Sequence, residues 1–239
     1  MPDTMPMNLT QEQSLLEQSV SRLGGMCEAQ LINVAKALES RDADLARTVI
    51  AEDESIDALR ENIEDQAVSI IARRAPAPFV LRGLVGAMRI AGHLERIGDH
   101  SKNIGKRITA IEYDTGNASL VKSVAVMADL ALLQLKTVLN SYGQKNDALA
   151  LEVWRQDEKI DSLYTSIFRE LLTYMMEDPR KISFCTHLLF CAKNIERIGD
   201  HCTNIAESVH YILKADKFPQ DRPKGDTTSF SNVPLPGDK

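Results

Sequence analysis

From Thr10 onward, Leu16, Val20, Leu23, Cys27, Leu31, Val34 and Leu38 return at alternating spacings of three and four. That stripe predicts an amphipathic helix about as long as a coiled-coil strand. Ser40-Arg41-Asp42 interrupts it and offers Asp42 as the N-cap of a second helix. This helix runs to about Arg74 and carries Val49, Ile56, Ile63 and Ile70 at sevens, with Leu45 and Leu59 beside them, before Ala75-Pro76-Ala77-Pro78 stops it. A third helix begins near Phe79 and runs to about Tyr113, with Ile90, Ile97, Ile104 and Ile111 at sevens and Ile108 filling the gap. Asp114-Thr115-Gly116-Asn117 reads as a turn, and the pattern then starts over. A fourth helix is expected over 120–142, ending at Gly143, and a fifth over 147–177, where Val153, Ile160 and Ile167 stand 104 residues after Val49, Ile56 and Ile63. Asp178-Pro179 breaks the fifth, and a sixth covers 181–214. No stretch alternates with period two, so no strand is required.

Connections of a few residues force successive helices to lie antiparallel. The expected fold is therefore all-α: two tandem antiparallel three-helix bundles, six helices in all, related by an internal repeat. The first repeat spans 10–115 and the second 117–216. Residues 218–239 turn to Pro, Gly, Ser, Thr and Asp and are expected to form a disordered tail.

The repeat carries a phrase. HLERIGDHSKNI occupies 93–104 and NIERIGDHCTNI occupies 194–205, so that Glu95, Asp99 and Asn103 recur as Glu196, Asp200 and Asn204. Each set is spaced i, i+4, i+8, which lines two carboxylates and an amide oxygen along one helix stripe, roughly opposite the isoleucines of the same helix. Leu81, Val85 and Met88 precede the first stripe on the same face, which points to an acidic face that begins buried. Ile182 and Leu189 do so in the second, where Thr186 and Lys193 make the face wetter. A second acidic pair accompanies each phrase: Asp53 and Asp57 on the second helix recur as Asp157 and Asp161 on the fifth. Glu54 and Glu158 repeat too but point away from the core.

If the second and third helices pack antiparallel, four carboxylates and an asparagine converge between them. Two like charges about 4 Å apart repel by roughly 4 kcal/mol at an effective dielectric near 20. Relief comes from protonation, from arginine or from a metal ion. Arg96 and Arg197 lie about 100° round the helix from the acids and reach only the edge. All-oxygen ligands favour hard cations such as Mg²⁺, Mn²⁺, Ca²⁺ or Fe³⁺. The competing reading, solvated acidic faces on long helices, suits a single E-x-x-x-D but is weakened by the duplication. His100 and His201 are turned off the stripe and read as surface or capping residues rather than ligands. Gly98 and Gly199 each cost about 1 kcal/mol against alanine in a helix, which a close helix approach would explain.

Composition narrows the choice. A formal charge of −6 and a pI near 5.4 give no global pull toward nucleic acid or an anionic membrane. The four cysteines form no C-x-x-C pair and are expected to be buried thiols of a reducing compartment. The N-terminal residues lack the features of a signal peptide, and no apolar run approaches ~18 residues, so no membrane span and a cytoplasmic location are expected. No nucleotide loop, nucleophile elbow or glycine-rich phosphate cradle is present, and no catalytic or cofactor-binding residue is assigned.

The doubled ERIGDH-x-x-N-I phrase on third helices, preceded by D-x-x-x-D second helices in a repeated three-helix frame, resembles the PhoU family of phosphate-signalling regulators. The resemblance covers about residues 10–215. It implies a cytoplasmic homodimer, reaching the inner membrane through its partners, that represses phosphate uptake and the phosphate-starvation response. The implied partners are the ATPase subunit of the phosphate ABC transporter and the membrane histidine kinase of the phosphate system. The metal ligands it implies are Glu95, Asp99, Glu196 and Asp200, with Asp53, Asp57, Asp157 and Asp161 from the second helices; Asn103 and Asn204 complete the stripes read from spacing. Mg²⁺, Mn²⁺ or iron fits such donors. Glu207 lies on the second stripe where the first has Lys106, so the two sites need not be equal. The alternative is a metal-dependent enzyme with a carboxylate-bridged centre. Di-iron bundles of that kind need Glu-x-x-His, whereas His100 follows Glu95 by five. A metal-free helical scaffold is the third reading.

Overall fold

The computed structural model describes residues 8–111 and 118–218. Six helices follow in order: α1 (Leu9–Ser40), α2 (Ala43–Arg74), α3 (Pro78–Ala110), α4 (Ala118–Gln144), α5 (Asp147–Glu177) and α6 (Ile182–Lys214). Among the described residues there is no strand. The expected tail and the 114–117 turn lie outside these residues.

The helix ends have local causes. Asn8 caps α1 in a box with Gln11, each side chain bonding the other's backbone N–H. The α1–α2 turn holds Arg41 in the left-handed region, and Asp42 then accepts from the Leu45 N–H at 2.9 Å, the cap expected of it. Pro78 sits in the first turn of α3, where its missing N–H costs nothing. The α4–α5 junction differs from expectation. Gly143 does not end α4, which continues to Gln144. Lys145 takes the left-handed conformation, and the Ser141 hydroxyl donates to the Asn146 carbonyl at 2.8 Å. At the other break, Pro179–Lys181 forms a short 3-10 turn, so α6 starts at Ile182.

Successive helices within each bundle run antiparallel, so α1 and α3, which also pack on each other, run parallel, as do α4 and α6. Glu12 on α1 meets Arg74 on α2 while Gln30 meets Val49. On α2 and α3, Asp53 meets Lys102 and Ile56 lies against Gly98. On α5 and α6, Asp147 meets His210 and Asp157 meets Thr203. The two bundles share one core. Helices α3 and α6 pack together lengthwise, giving a layer ordered α2, α3, α6, α5, and α1 and α4 lie together across it. Isoleucines that recur at sevens fill the seams: Ile56, Ile63, Ile90, Ile97 and Ile160 are all fully buried. All four cysteines are buried and free.

Two expectations need correcting. Leu81 is exposed and Val85 and Met88 are only half-buried, and Ile182 is also exposed. The buried seam of α3 runs through Leu84, Ala87, Ile90 and Ala91, so those residues lie on its shoulder and the acidic face does not begin buried. Second, α4 is long and apolar enough, by length and composition alone, to cross a membrane. Its Leu120, Val124, Met127, Leu135 and Val138 are instead buried against α1, α5 and α6, the pattern of a core helix.

Replacing Asp42 by alanine removes the cap between α1 and α2 and is expected to lower unfolding free energy by about 1 kcal/mol, read by urea denaturation with an unchanged slope.

Candidate functional site

The helix register brings the duplicated acids together in two clusters, one between α2 and α3 and one between α5 and α6. The approach is close because of the phrase's glycine. A Cβ at Gly98 would lie 3.1 Å from Ile56 Cδ1 and 3.4 Å from Asp53 Oδ1, and one at Gly199 would lie 3.1 Å from Ile160 Cδ1. Packing therefore explains both glycines.

In the first cluster Asp53 is 97% buried by its 3% exposure, while Asp57, Glu95, Asp99 and Asn103 are half-buried. A lysine that spacing arguments passed over sits among them. The Lys102 ammonium bonds Asp53 on α2 and, at 2.7 Å, Asp99 on α3, bridging the two helices. Arg96 reaches Asp99 at 3.4 Å and Glu95 at 3.5 Å from a largely exposed position, the edge contact expected of it. Burial raises the Asp99 carboxyl, but the Lys102 hydrogen bond and charge, with Arg96, outweigh it and hold it below the ordinary value. Burial pushes Lys102 down, yet the two aspartates hold it above its usual range. Glu95 lies beyond the lysine: burial, then the Asp99 charge, raises its carboxyl, and Asp57 is raised by burial and by Asp53.

The second cluster is more deeply buried, with Asp157, Asp161 and Glu196 all in the interior and Asp200 half-buried. Thr203 takes the place of Lys102, and its hydroxyl, with one proton to share, lies 3.0 Å from Asp157 Oδ1 and 3.2 Å from the Gly199 carbonyl. The lysine of this copy is Lys193, where the first has Gly92. It pairs with Glu196 at 2.9 Å along its own helix and lies over the Tyr164 ring. Burial raises the Glu196 carboxyl, Asp200 and Asp161 add to the rise, and Lys193 offsets part of it. A cleft of about 440 Å³ opens beside it, bordered by Glu196, Asp200 and Asn204 but also by Lys193, Arg197 and the His100 and His201 rings.

Each cluster leaves one buried carboxylate oxygen unpaired, Asp53 Oδ1 in the first and Glu196 Oε2 in the second. Such an oxygen is costly without a hydrogen bond or cation, and the donors are the hard oxygens a hard cation takes. Among the described residues, however, no three His, Cys, Asp or Glu side chains already stand as a group that could hold an ion. The chemistry of the donors fits a hard cation in the second cluster. In the first, the Lys102 ammonium bridges the carboxylates of both helices, whereas in the second Lys193 pairs only with Glu196 on its own helix and leaves Glu196 Oε2 unpaired.

A third duplicated polar residue escaped sequence reading. Gln30 on α1 and Gln134 on α4, 104 residues apart, are both buried. Gln30 donates to the Val49 carbonyl at 3.1 Å, and Gln134 Oε1 lies 3.4 Å from where a Gly199 Cβ would be. The signal was a polar residue at a core position of the repeat. Lys102 was legible too, since i, i+3 neighbours on a helix meet.

The histidines of the phrase are neither surface nor capping residues. α3 packs on α6 there, so both rings enter the seam: His100 Nδ1 lies 2.9 Å from Asn194 Oδ1, and His201 Nδ1 lies 3.2 Å from His93 Nδ1. Because His93 and Asn194 are equivalent in the repeat, these two contacts are one contact made twice about a pseudo-twofold axis. Burial lowers His93 and His100, and burial with the neighbouring His93 and His100 lowers His201 to about 4, so the seam is uncharged near neutrality. Neither ring joins a carboxylate stripe in the Glu-x-x-His manner of di-iron bundles.

Glu196 binds its proton more tightly folded than unfolded. Its contribution to stability is therefore fully present below its unfolded pKa near 4.5 and is lost as pH rises through the raised folded value. In metal-free protein, Glu196→Gln is expected to melt higher than wild type at pH 7 and to lose that advantage as pH falls toward 4.5, read by calorimetry. Equal melting at pH 7 would show the charge to be already compensated.

Comparison with known proteins agrees with the doubled three-helix fold. The PhoU domain model matches residues 20–108 and again 124–209, one match per repeat. The phosphate-specific transport system accessory protein PhoU homolog of Rhizobium meliloti (strain 1021) is 45% identical over 219 residues, covering 92% of both chains. The Escherichia coli (strain K12) accessory protein PhoU is 36% identical over 204 residues, covering 85% of this chain and 84% of that one. The crystal structure of PhoU from Pseudomonas aeruginosa superposes with a TM-score of 0.82 at 31% identity, covering 87% of this chain and all of that one. With its doubled three-helix frame, its duplicated acidic phrase and relatives matched along most of their length, this chain belongs to the PhoU family.

Proposed function

We propose that this protein is a non-enzymatic regulator of phosphate uptake, acting as the accessory subunit of a phosphate transport system. The observation that carries this is the match of both repeats to the PhoU domain together with relatives named as phosphate transport accessory proteins over 92% of the chain. The sense of regulation is negative: it restrains the transporter and the phosphate-starvation response when phosphate is plentiful. It works in the cytoplasm as a homodimer and meets the inner membrane only through two partners, the ATPase subunit of the phosphate ABC transporter and the membrane histidine kinase of the phosphate system.

Such a regulator needs no chemistry of its own. It shifts a transporter or kinase by binding one conformation better than another, and the shift is limited by that difference in affinity. The two repeats each set an acidic cluster between two helices, partly buried and opening to the surface through Asp99 in the first and Asp200 in the second, whose charge would depend on bound cation. Mg²⁺, Mn²⁺ or Fe³⁺ would be held in the second cluster by Asp157, Asp161, Glu196 and Asp200, with Asn204 beside them. Asp53, Asp57, Glu95, Asp99 and Asn103 form the first. A bound cation neutralises carboxylates that burial makes costly and stiffens the helix pair.

The test is capture of the two partners by immobilised protein. Glu95→Ala/Asp99→Ala and Glu196→Ala/Asp200→Ala, each checked for native helix content by circular dichroism, are expected to lose at least about tenfold in capture of one or both partners, equivalent to roughly 1.4 kcal/mol. Capture of neither partner by wild type would overturn the proposed function, and equal capture by all forms would remove the acidic rims from the interface.

A further inference from the structure

The two clusters carry equivalent carboxylates but not equivalent cations. Lys102 reaches from α3 to Asp53 on α2 as well as to Asp99 on its own helix, with only about a fifth of its side chain exposed. At the same place in the second repeat Thr203 is fully buried and brings a hydroxyl, not a charge, to Asp157. We propose that Lys102 is a built-in counter-ion of the first cluster that competes with a metal ion for Asp53 and Asp99, so that this cluster takes a divalent cation only when the ammonium withdraws.

The inference rests on the reading that the acidic clusters are metal sites, and it assigns a specificity-determining role to one side chain. Its physical basis is exclusion. The lysine occupies an oxygen of each of the two carboxylates that would have to bridge α2 and α3. A metal arriving there must displace an ammonium that both aspartates hold. The other charged groups facing the site leave that position to Lys102: Arg96 pairs with Glu95 and Asp99 from the exposed rim, and Arg60 is engaged with Glu64 at 2.6 Å. Asp53 Oδ1 remains unpaired and buried beneath the lysine, a donor that the ammonium leaves unused. Replacing Lys102 by the threonine that the second repeat already accommodates removes the competing charge and raises the cluster's net negative charge by one.

The experiment is a titration of metal-free full-length protein with Mn²⁺, counting free aquo-ion by electron paramagnetic resonance. Wild type, Lys102→Thr and Lys102→Met are compared, each alone and with Asp99→Asn. Lys102→Thr and Lys102→Met are expected to bind one more Mn²⁺ per chain than wild type, or to bind at the first cluster at least about tenfold more tightly. Adding Asp99→Asn should abolish the gain. The same affinity and number of ions in wild type and both lysine variants would overturn the proposal while leaving the metal reading standing. Absence of Mn²⁺ binding by every form would overturn the metal reading and this proposal with it. Should neither lysine variant fold, the ¹⁵N resonance of the Lys102 ammonium in wild type decides: loss of its contacts as Mg²⁺ saturates the first cluster supports competition, and a resonance unmoved at saturation refutes it.

Discussion

Two helices that each carry a row of carboxylates lie side by side only where protons or positive charge relieve the repulsion between them. Each like-charged pair at about 4 Å costs roughly 4 kcal/mol even at an effective dielectric near 20, a large share of a domain's net stability. In this protein the apolar seams force the approach. Ile56 packs against Gly98 and Ile160 against Gly199, and this register sets Asp53 and Asp157 deep in the interior. The rest of the site follows from how that charge is balanced. Lys102 bridges the first pair of helices, Lys193 guards the second from its own helix, and one carboxylate oxygen in each cluster is left over.

Duplication explains the frame, and divergence explains the site. The pseudo-twofold seam between α3 and α6 keeps a histidine opposite a polar partner on each side, with His93 and Asn194 exchanging places. Burial keeps those rings neutral, so the seam holds the two repeats together without adding charge near either cluster. Away from the seam the repeats part: lysine against threonine at 102 and 203, glycine against lysine at 92 and 193. A protein with two equal sites would answer a cation with one affinity. Under the function proposed above, two unequal sites would give two rims of different charge at the same metal concentration, and so different surfaces for two partners.

Most of the frame was legible because helical periodicity is a direct record of burial. The sevens of Ile56, Ile63 and Ile70, the Asp42 cap and the proline stops each map onto an observed element. What was misread has a common cause: a stripe read from one helix cannot say what the neighbours cover. The stripe reads Leu81 and Ile182 as buried although their neighbours leave them exposed, and His100 as a surface residue although α6 packs on it. Spacing names the acids, the edge arginines and Lys193, and it sets Lys102 three residues from Asp99; what it leaves out is that Lys102 reaches a second helix. Lysine at 102 looks like any solvated residue until the antiparallel register sets Asp53 across from it. Gln30 and Gln134 were hidden inside an otherwise apolar stripe, and only the repeat marked them out.

In the function proposed above, charge balance lets these helices lie together, and a metal ion supplies it in the second cluster. Anomalous diffraction from crystals grown with saturating Mn²⁺ tests it most directly. An anomalous peak is expected between α5 and α6 within about 2.6 Å of oxygens from both helices, Glu196 among them, with the Lys102 ammonium still seated between Asp53 and Asp99. Crystals at saturating Mn²⁺ with no peak between α5 and α6, and with the second cluster's carboxylates held as closely as before, would contradict it.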